Sequence, residues 1–134
     1  MKKVEHIGIA VRDLATANQL FEKLFNQQYY KLEELDREEV STSFFKVGET
    51  KIELLQATHK DSAIAKFIQK RGEGIHHIAF EVDDIDSEIQ RLKREGFQLI
   101  NNHPIDGVDN KRICFLHPKS TNGVLIELCQ EKVK

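Results

Sequence analysis

Gly74-Ile-His-His-Ile-Ala-Phe-Glu-Val-Asp-Asp-Ile85 is echoed near the start of the chain by His6-Ile-Gly-Ile-Ala-Val-Arg-Asp-Leu14. Aligned on His77 and His6, both stretches read His-Ile-small-apolar-x-Val-x-Asp-apolar. A chain that writes one pattern twice is read as two copies of one unit. Successive side chains of a strand face opposite ways. In the first copy Ile7, Ile9 and Val11 share one face, and Val4, His6, Gly8 and Ala10 the other. In the second, His76, Ile78, Phe80 and Val82 oppose His77, Ala79 and Glu81. Each leading histidine therefore sits beside a small residue, opposite the bulky stripe. The bulky side is expected to pack a helix and the histidine side to stay open, as a pocket requires.

Working outward, each copy ends in a strand with a glutamate inside an apolar run: Glu53 in Lys51-Ile-Glu-Leu-Leu55 and Glu127 in Val124-Leu-Ile-Glu-Leu128. Ile52 and Leu54, and likewise Val124, Ile126 and Leu128, face the helices. Glu53 and Glu127 then point to the open side. A carboxylate on a covered strand is costly unless paired or bound to a metal. If a pseudo-twofold axis relates the copies, His6, Glu53, His77 and Glu127 converge. Two imidazoles and two carboxylates suit a borderline divalent ion such as Co²⁺, Ni²⁺, Zn²⁺, Fe²⁺ or Mn²⁺. By parity His76 belongs to the helix side as a packing residue. His59, His103 and His117 fall in loops or at strand ends.

The wider composition is ordinary. The chain has 134 residues, 40% hydrophobic and 31% charged, with a formal net charge of −2. That balance gives no support to nucleic acid or an anionic membrane as partner. No window is a signal peptide or a transmembrane span, and a cytoplasmic protein is expected. Cys114 and Cys129 are read as reduced core or pocket residues rather than a disulfide. No Gly-rich phosphate loop, nucleophile elbow or Cys-x-x-Cys is present.

Taken in order, the pattern predicts a strand over Val4–Val11 and a helix from the Asp13 cap to Phe25. An edge strand follows within Gln28–Glu33, then a charged loop to Glu39. Val40–Val47 and Lys51–Gln56 form a hairpin about Gly48-Glu49-Thr50. A connector helix spans Lys60–Arg71, capped by Asp61 or Ser62 and ended by Gly72 and Gly74. The second copy gives a strand over Ile75–Val82 and a helix from Asp84 to Gly96. Short strand Phe97–Asn101, loop Asn102–Asn110 and strands Arg112–Leu116 and Val124–Gln130 complete it. The expectation is an α+β fold of two βαβββ modules with curved mixed sheets around a metal site. All of 1–134 forms one domain, with module one at about 1–58, the connector at about 60–72 and module two at about 74–131.

These modules resemble the vicinal oxygen chelate superfamily over essentially the whole chain. Within it the chain is most similar to the methylmalonyl-CoA epimerase branch. That likeness rests on His6–Val11, Lys51–Leu55, Ser62-Ala-Ile-Ala-Lys-Phe67, Gly74–Ala79 and Val82–Ile85. Its strongest part is Phe115-Leu-His-Pro-Lys-Ser120 followed by Gly123-Val-Leu-Ile-Glu-Leu128. The resemblance implies that His6, Glu53, His77 and Glu127 ligate a divalent metal, Co²⁺ foremost, with Ni²⁺, Zn²⁺ or Mn²⁺ as alternatives. It implies an acyl-CoA substrate and a homodimer. Its chemistry removes the proton alpha to a thioester carbonyl and returns one to the opposite face, with the metal stabilising the enolate. Glu127, a ligand able to loosen, is the first candidate for the base, with Glu53 or a bound water for the second side. Lys119, with Lys111 or Arg112, is the candidate for CoA phosphates. One departure stands out: where a branch of the family carries an acid/base glutamate on the third strand of module one, this chain has Thr42, or Ser41 if the alignment slips by one, and neither is a base at neutral pH. Glyoxalase I, a ring-cleaving dioxygenase and a metal-free binding module are the rival functions.

Overall fold

The structure, a computed structural model, describes residues 1–132. The element order is β1 (Lys3–Ala10), α1 (Leu14–Phe25), β2 (Lys31–Leu35), β3 (Val40–Val47), β4 (Thr50–Ala57) and α2 (Ala63–Arg71). There follow β5 (Gly74–Glu81), α3 (Ile85–Arg94), β6 (Ile105–Asp106), β7 (Lys111–Leu116) and β8 (Ile126–Glu131). The fold is α+β with βαβββ written twice, as the repeat predicts. No helix among the described residues is long and apolar enough to cross a membrane.

The chain divides into two compact units, His6–His76 and Met1–Glu5 with His77–Lys134. The boundary is not where the repeat suggests, because the first residues fold with the second copy. The Lys2 amide donates to the Glu81 carbonyl at 2.9 Å. The Lys2 ammonium lies 3.2 Å from Asp83 and 3.6 Å from Glu81.

In the unit 6–76 the strand order is β2-β3-β4-β1. β1 and β4 are parallel; β2–β3 and β3–β4 are antiparallel. On one face Val11, Leu14, Ala17, Phe45 and Leu54 form a core beneath α1, with Ile9, Ile52, Phe21 and Phe25 against it. The other face is not fully open: Ala10, Val40 and Leu55, on the parity of His6 and Glu53, pack on Ile64 of α2, with Phe67 and Ile68 alongside. Apolar residues at the far end of that face need cover, and the connector helix supplies it.

The other unit repeats this scheme with order β5-β8-β7-β6. β5 and β8 are parallel, and β7 is antiparallel to β8 and β6. Val82, Ile85, Ile89, Leu92, Cys114, Leu116 and Leu128 form its core around α3.

Both main helices start alike. Asp13 and Asp84 are extended caps whose carboxylates accept from the amides of Thr16 and Ser87. A capping carboxylate answers unpaired amides and the positive end of the helix dipole. A second device also repeats: Gln56 accepts from the Leu14 amide and Gln130 from the Ile85 amide. Each glutamine thus ties the end of its module's last strand to the start of its helix. The hydrogen bonds from Thr16 and from Ser87 hold the Asp13 and Asp84 carboxyls below the usual aspartate range. A depressed folded value means stability present above the unfolded value near 3.9 and lost as pH falls through the folded value. Asp84→Ala is therefore expected to lower the thermal midpoint by a few degrees at pH 7. The deficit should shrink below pH 4, which melting curves across pH measure.

Two short strands lie elsewhere than predicted. β2 runs over Lys31–Leu35 instead of within Gln28–Glu33, because Asn26 ends α1 in the left-handed region (φ 55°) and the ladder with β3 begins only at Lys31↔Phe44. Phe97–Asn101 forms no strand, only a bridge between Leu99 and Leu116. The Asn101 side chain takes the Phe115 amide at 2.9 Å, so a side chain replaces the ladder there. The short strand is β6 instead, within the predicted loop, through Ile105↔Ile113. The connector helix starts at Ala63 with Ser62 as its cap.

Candidate functional site

Register places the histidine and glutamate of each module side by side. In the first unit Gly8 pairs with Glu53, so Glu53 lies one step along the face from His6. In the second, Ala79 pairs with Glu127, the same step from His77. The small residue at Gly8 or Ala79 leaves the space that a larger side chain would occupy. His6 Nδ1 lies 3.2 Å from Glu53 Oε2, and His77 Nε2 lies 3.2 Å from Glu127 Oε1. All four are buried, Glu53 being 1% and Glu127 4% exposed.

A phenylalanine stands across from each glutamate on the next strand: Phe44 from Glu53 and Phe115 from Glu127. Phe115 meets the His77 ring edge-on at 5.8 Å. These phenylalanines were not singled out in the sequence; aligning the two copies through β3 and β7 is the signal that finds them. Such apolar flanks keep water from the pair and strengthen its electrostatics. A carboxylate this buried requires a positive neighbour. A protonated imidazole meets that need, and so does a divalent cation. The imidazole-plus-carboxylate donor set of each pair fits a borderline metal.

The other histidines are placed apart from these pairs. His76 packs edge-on against Phe67 of α2 at 5.0 Å. His117 caps the turn Pro118–Ser120, its Nδ1 accepting from the Lys119 amide at 3.1 Å. His59 Nδ1 accepts from the Asp61 amide, and His103 is exposed. Both cysteines are free and buried. Cys114 belongs to the α3 core, whereas Cys129 lies with Ala79 and Ile113 on the His77 face. Burial, with the carboxylates of Glu127 and Glu5 beside it, pushes the Cys129 thiol far up, so it stays protonated. Lys111 is buried at 7% exposure, Arg112 is half-buried and Lys119 is exposed. Arg112 faces Asp86 at 3.3 Å.

Thr42 is fully buried on the Glu53 face, and its hydroxyl has no hydrogen-bond partner among the described residues. Such a group costs on the order of 1–3 kcal/mol. A cavity of about 420 Å³ lies on the opposite, α1 side, lined in part by Ile9, Val11, Ala17 and Phe21. It holds neither His6 nor Glu53 and belongs to the packing of α1.

Residues 5–115 match the Glyoxalase/Bleomycin resistance protein/Dioxygenase superfamily. The chain belongs to that superfamily. It is 37% identical over 129 residues to the mitochondrial methylmalonyl-CoA epimerase of Homo sapiens, covering 96% of this chain and 73% of that one. It is 36% identical over 132 residues to an uncharacterised protein of Bacillus subtilis, covering 98% and 94%. Among solved structures, Streptomyces coelicolor methylmalonyl-CoA epimerase in complex with 2-nitronate-propionyl-CoA is similar with a TM-score of 0.94 and 32% identity, covering 99% and 96%.

Proposed function

We propose that this protein is a metal-dependent epimerase of methylmalonyl-CoA. The observation that carries the reading is the repeated His–Glu pair, buried at the same register in both modules, in a chain over a third identical to an epimerase along nearly its whole length. His6, Glu53, His77 and Glu127 would together hold one divalent ion. When bound, such an ion would offset the negative charge that develops on the thioester oxygen as the alpha proton leaves.

The chain's own residues supply the rest. Glu127 takes the alpha proton on one side of the planar carbon and returns it in the reverse direction. Glu53, 3.2 Å from His6, would be a ligand, and Glu53 or a bound water is the candidate for the other side. Phe44 and Phe115 exclude water beside the two carboxylates and so protect the carbanion from stray protonation. Lys119, on the turn after β7, is the cation offered to CoA phosphates, with Arg112 and the more deeply set Lys111 as neighbours on β7.

The test is exchange of the alpha proton of methylmalonyl-CoA in D₂O, followed by NMR with metal-stripped protein before and after Co²⁺ is added. Exchange is expected only after addition, and the glutathione hemithioacetal is expected to be inert. Protein that binds Co²⁺ one-to-one yet leaves the CoA thioester unchanged would overturn the substrate and keep the ligands.

A further inference from the structure

Among the described residues of the unit 6–76, the buried hydroxyls belong to Thr42, Ser43 and Ser62. Two of them are given partners. Ser43, fully buried, donates to the Asn18 carboxamide oxygen at 2.6 Å. Ser62 caps α2 and accepts from the Ala65 amide at 3.2 Å. Thr42, next to Ser43 in β3, has 0% exposure and turns to the other face of the sheet, where its hydroxyl has no hydrogen-bond partner among the described residues. Buried polar groups are paired in nearly all cases, so the exception calls for a reason.

The strand does not demand a hydroxyl here, because valine or isoleucine fills such a place equally well. The second module shows as much. Phe44 stands across from Glu53 and Phe115 across from Glu127, and two residues before each phenylalanine lie Thr42 and Ile113. Ile113 packs apolar bulk against Ala79 and Cys129. Thr42 puts a polar atom in the matching place. It pairs with Leu55, which sets it diagonal to Glu53 on one face. Diagonal Cβ atoms are about 7–8 Å apart, a gap that a carbonyl or carboxylate group spans. Away from Glu53 the face closes over apolar groups, Val40 and Leu55 packing on Ile64. Glu33, across from Thr42 on β2, lies 3.1 Å from the Lys31 ammonium.

We infer that the Thr42 hydroxyl is a specificity contact, donating a hydrogen bond to an acyl oxygen of the substrate on the Glu53 face. This rests on the epimerase reading. Depth selects the acyl part over the rest of the thioester, since only the innermost portion of a ligand reaches a residue with 0% exposure. Chemistry selects it too: a neutral hydroxyl suits a carbonyl or carboxylate oxygen, whereas phosphates are matched by cations. A donor left unpaired in the free protein discriminates against any ligand that lacks the oxygen, because that ligand leaves it unpaired still.

The experiment titrates Co²⁺-loaded parent, Thr42→Val and Thr42→Ser with methylmalonyl-CoA and with coenzyme A in a calorimeter, and melts each protein without ligand. Thr42→Val keeps the shape and removes the hydroxyl. It is expected to melt no lower than the parent, to bind coenzyme A unchanged and to bind methylmalonyl-CoA about 10-fold more weakly. Thr42→Ser is expected to recover most of that affinity. Unchanged affinity of Thr42→Val for methylmalonyl-CoA would overturn the contact. Equal losses for both ligands, or a lower melting midpoint, would make the hydroxyl structural and overturn it as well. A parent that binds methylmalonyl-CoA no more tightly than coenzyme A would overturn the epimerase reading and this contact with it.

Discussion

Glu127→Gln is expected to lower net epimerisation of methylmalonyl-CoA by about 10³-fold, within the range for losing a positioned proton carrier. The amide keeps the size of the carboxylate and one oxygen at the place where Glu127 lies 3.2 Å from His77. It cannot accept and hold a proton. The loss should therefore fall on the rate of proton removal while the protein still takes up Co²⁺ and binds the CoA thioester. Initial rates from one epimer, with metal content measured on the same sample, decide it. A variant within a few-fold of wild type would take Glu127 out of the chemistry.

His6→Ala is expected to weaken Co²⁺ binding by more than the 10- to 100-fold that loss of an outer-shell partner brings. The change also reaches the metal-free protein. Glu53 is 1% exposed and its Oε2 sits 3.2 Å from the His6 ring. Leaving a buried carboxylate without its partner is strongly destabilising. The metal-free variant should melt well below the metal-free parent. Equal melting of the two metal-free proteins would mean that the imidazole does not stabilise Glu53. Unaltered Co²⁺ uptake would remove His6 from the ligand set.

Much of this arrangement was legible before any coordinates because a strand has a period of two. Parity alone put His6 and Glu53 on one face of the first module and His77 and Glu127 on one face of the second. The repeat made the four a matched set rather than isolated polar residues. What parity cannot give is the partner across the sheet, which depends on register. Phe44 appears only once β3 and β4 are laid side by side, and Phe115 once β7 and β8 are. Gln56 and Gln130 were missed for a related reason: each follows its glutamate by a fixed step, but the amide it caps belongs to a distant helix. Elements that depend on one or two bonds were read least well. β6 is two residues long, and an asparagine side chain stands in for the strand expected before it.

The assignment of Met1–Glu5 to the second compact unit sets the order in which the protein can be built. The ribosome makes these residues before His6–His76, yet their backbone partner at Glu81 emerges only after the whole of that segment has left the exit tunnel. The first unit can fold as soon as it is out. Residues 1–5 must wait for the segment around Glu81. The same segment fixes where the gene can be divided. A cut in the connector would separate the repeats as they are written but strip the second unit of its first strand segment.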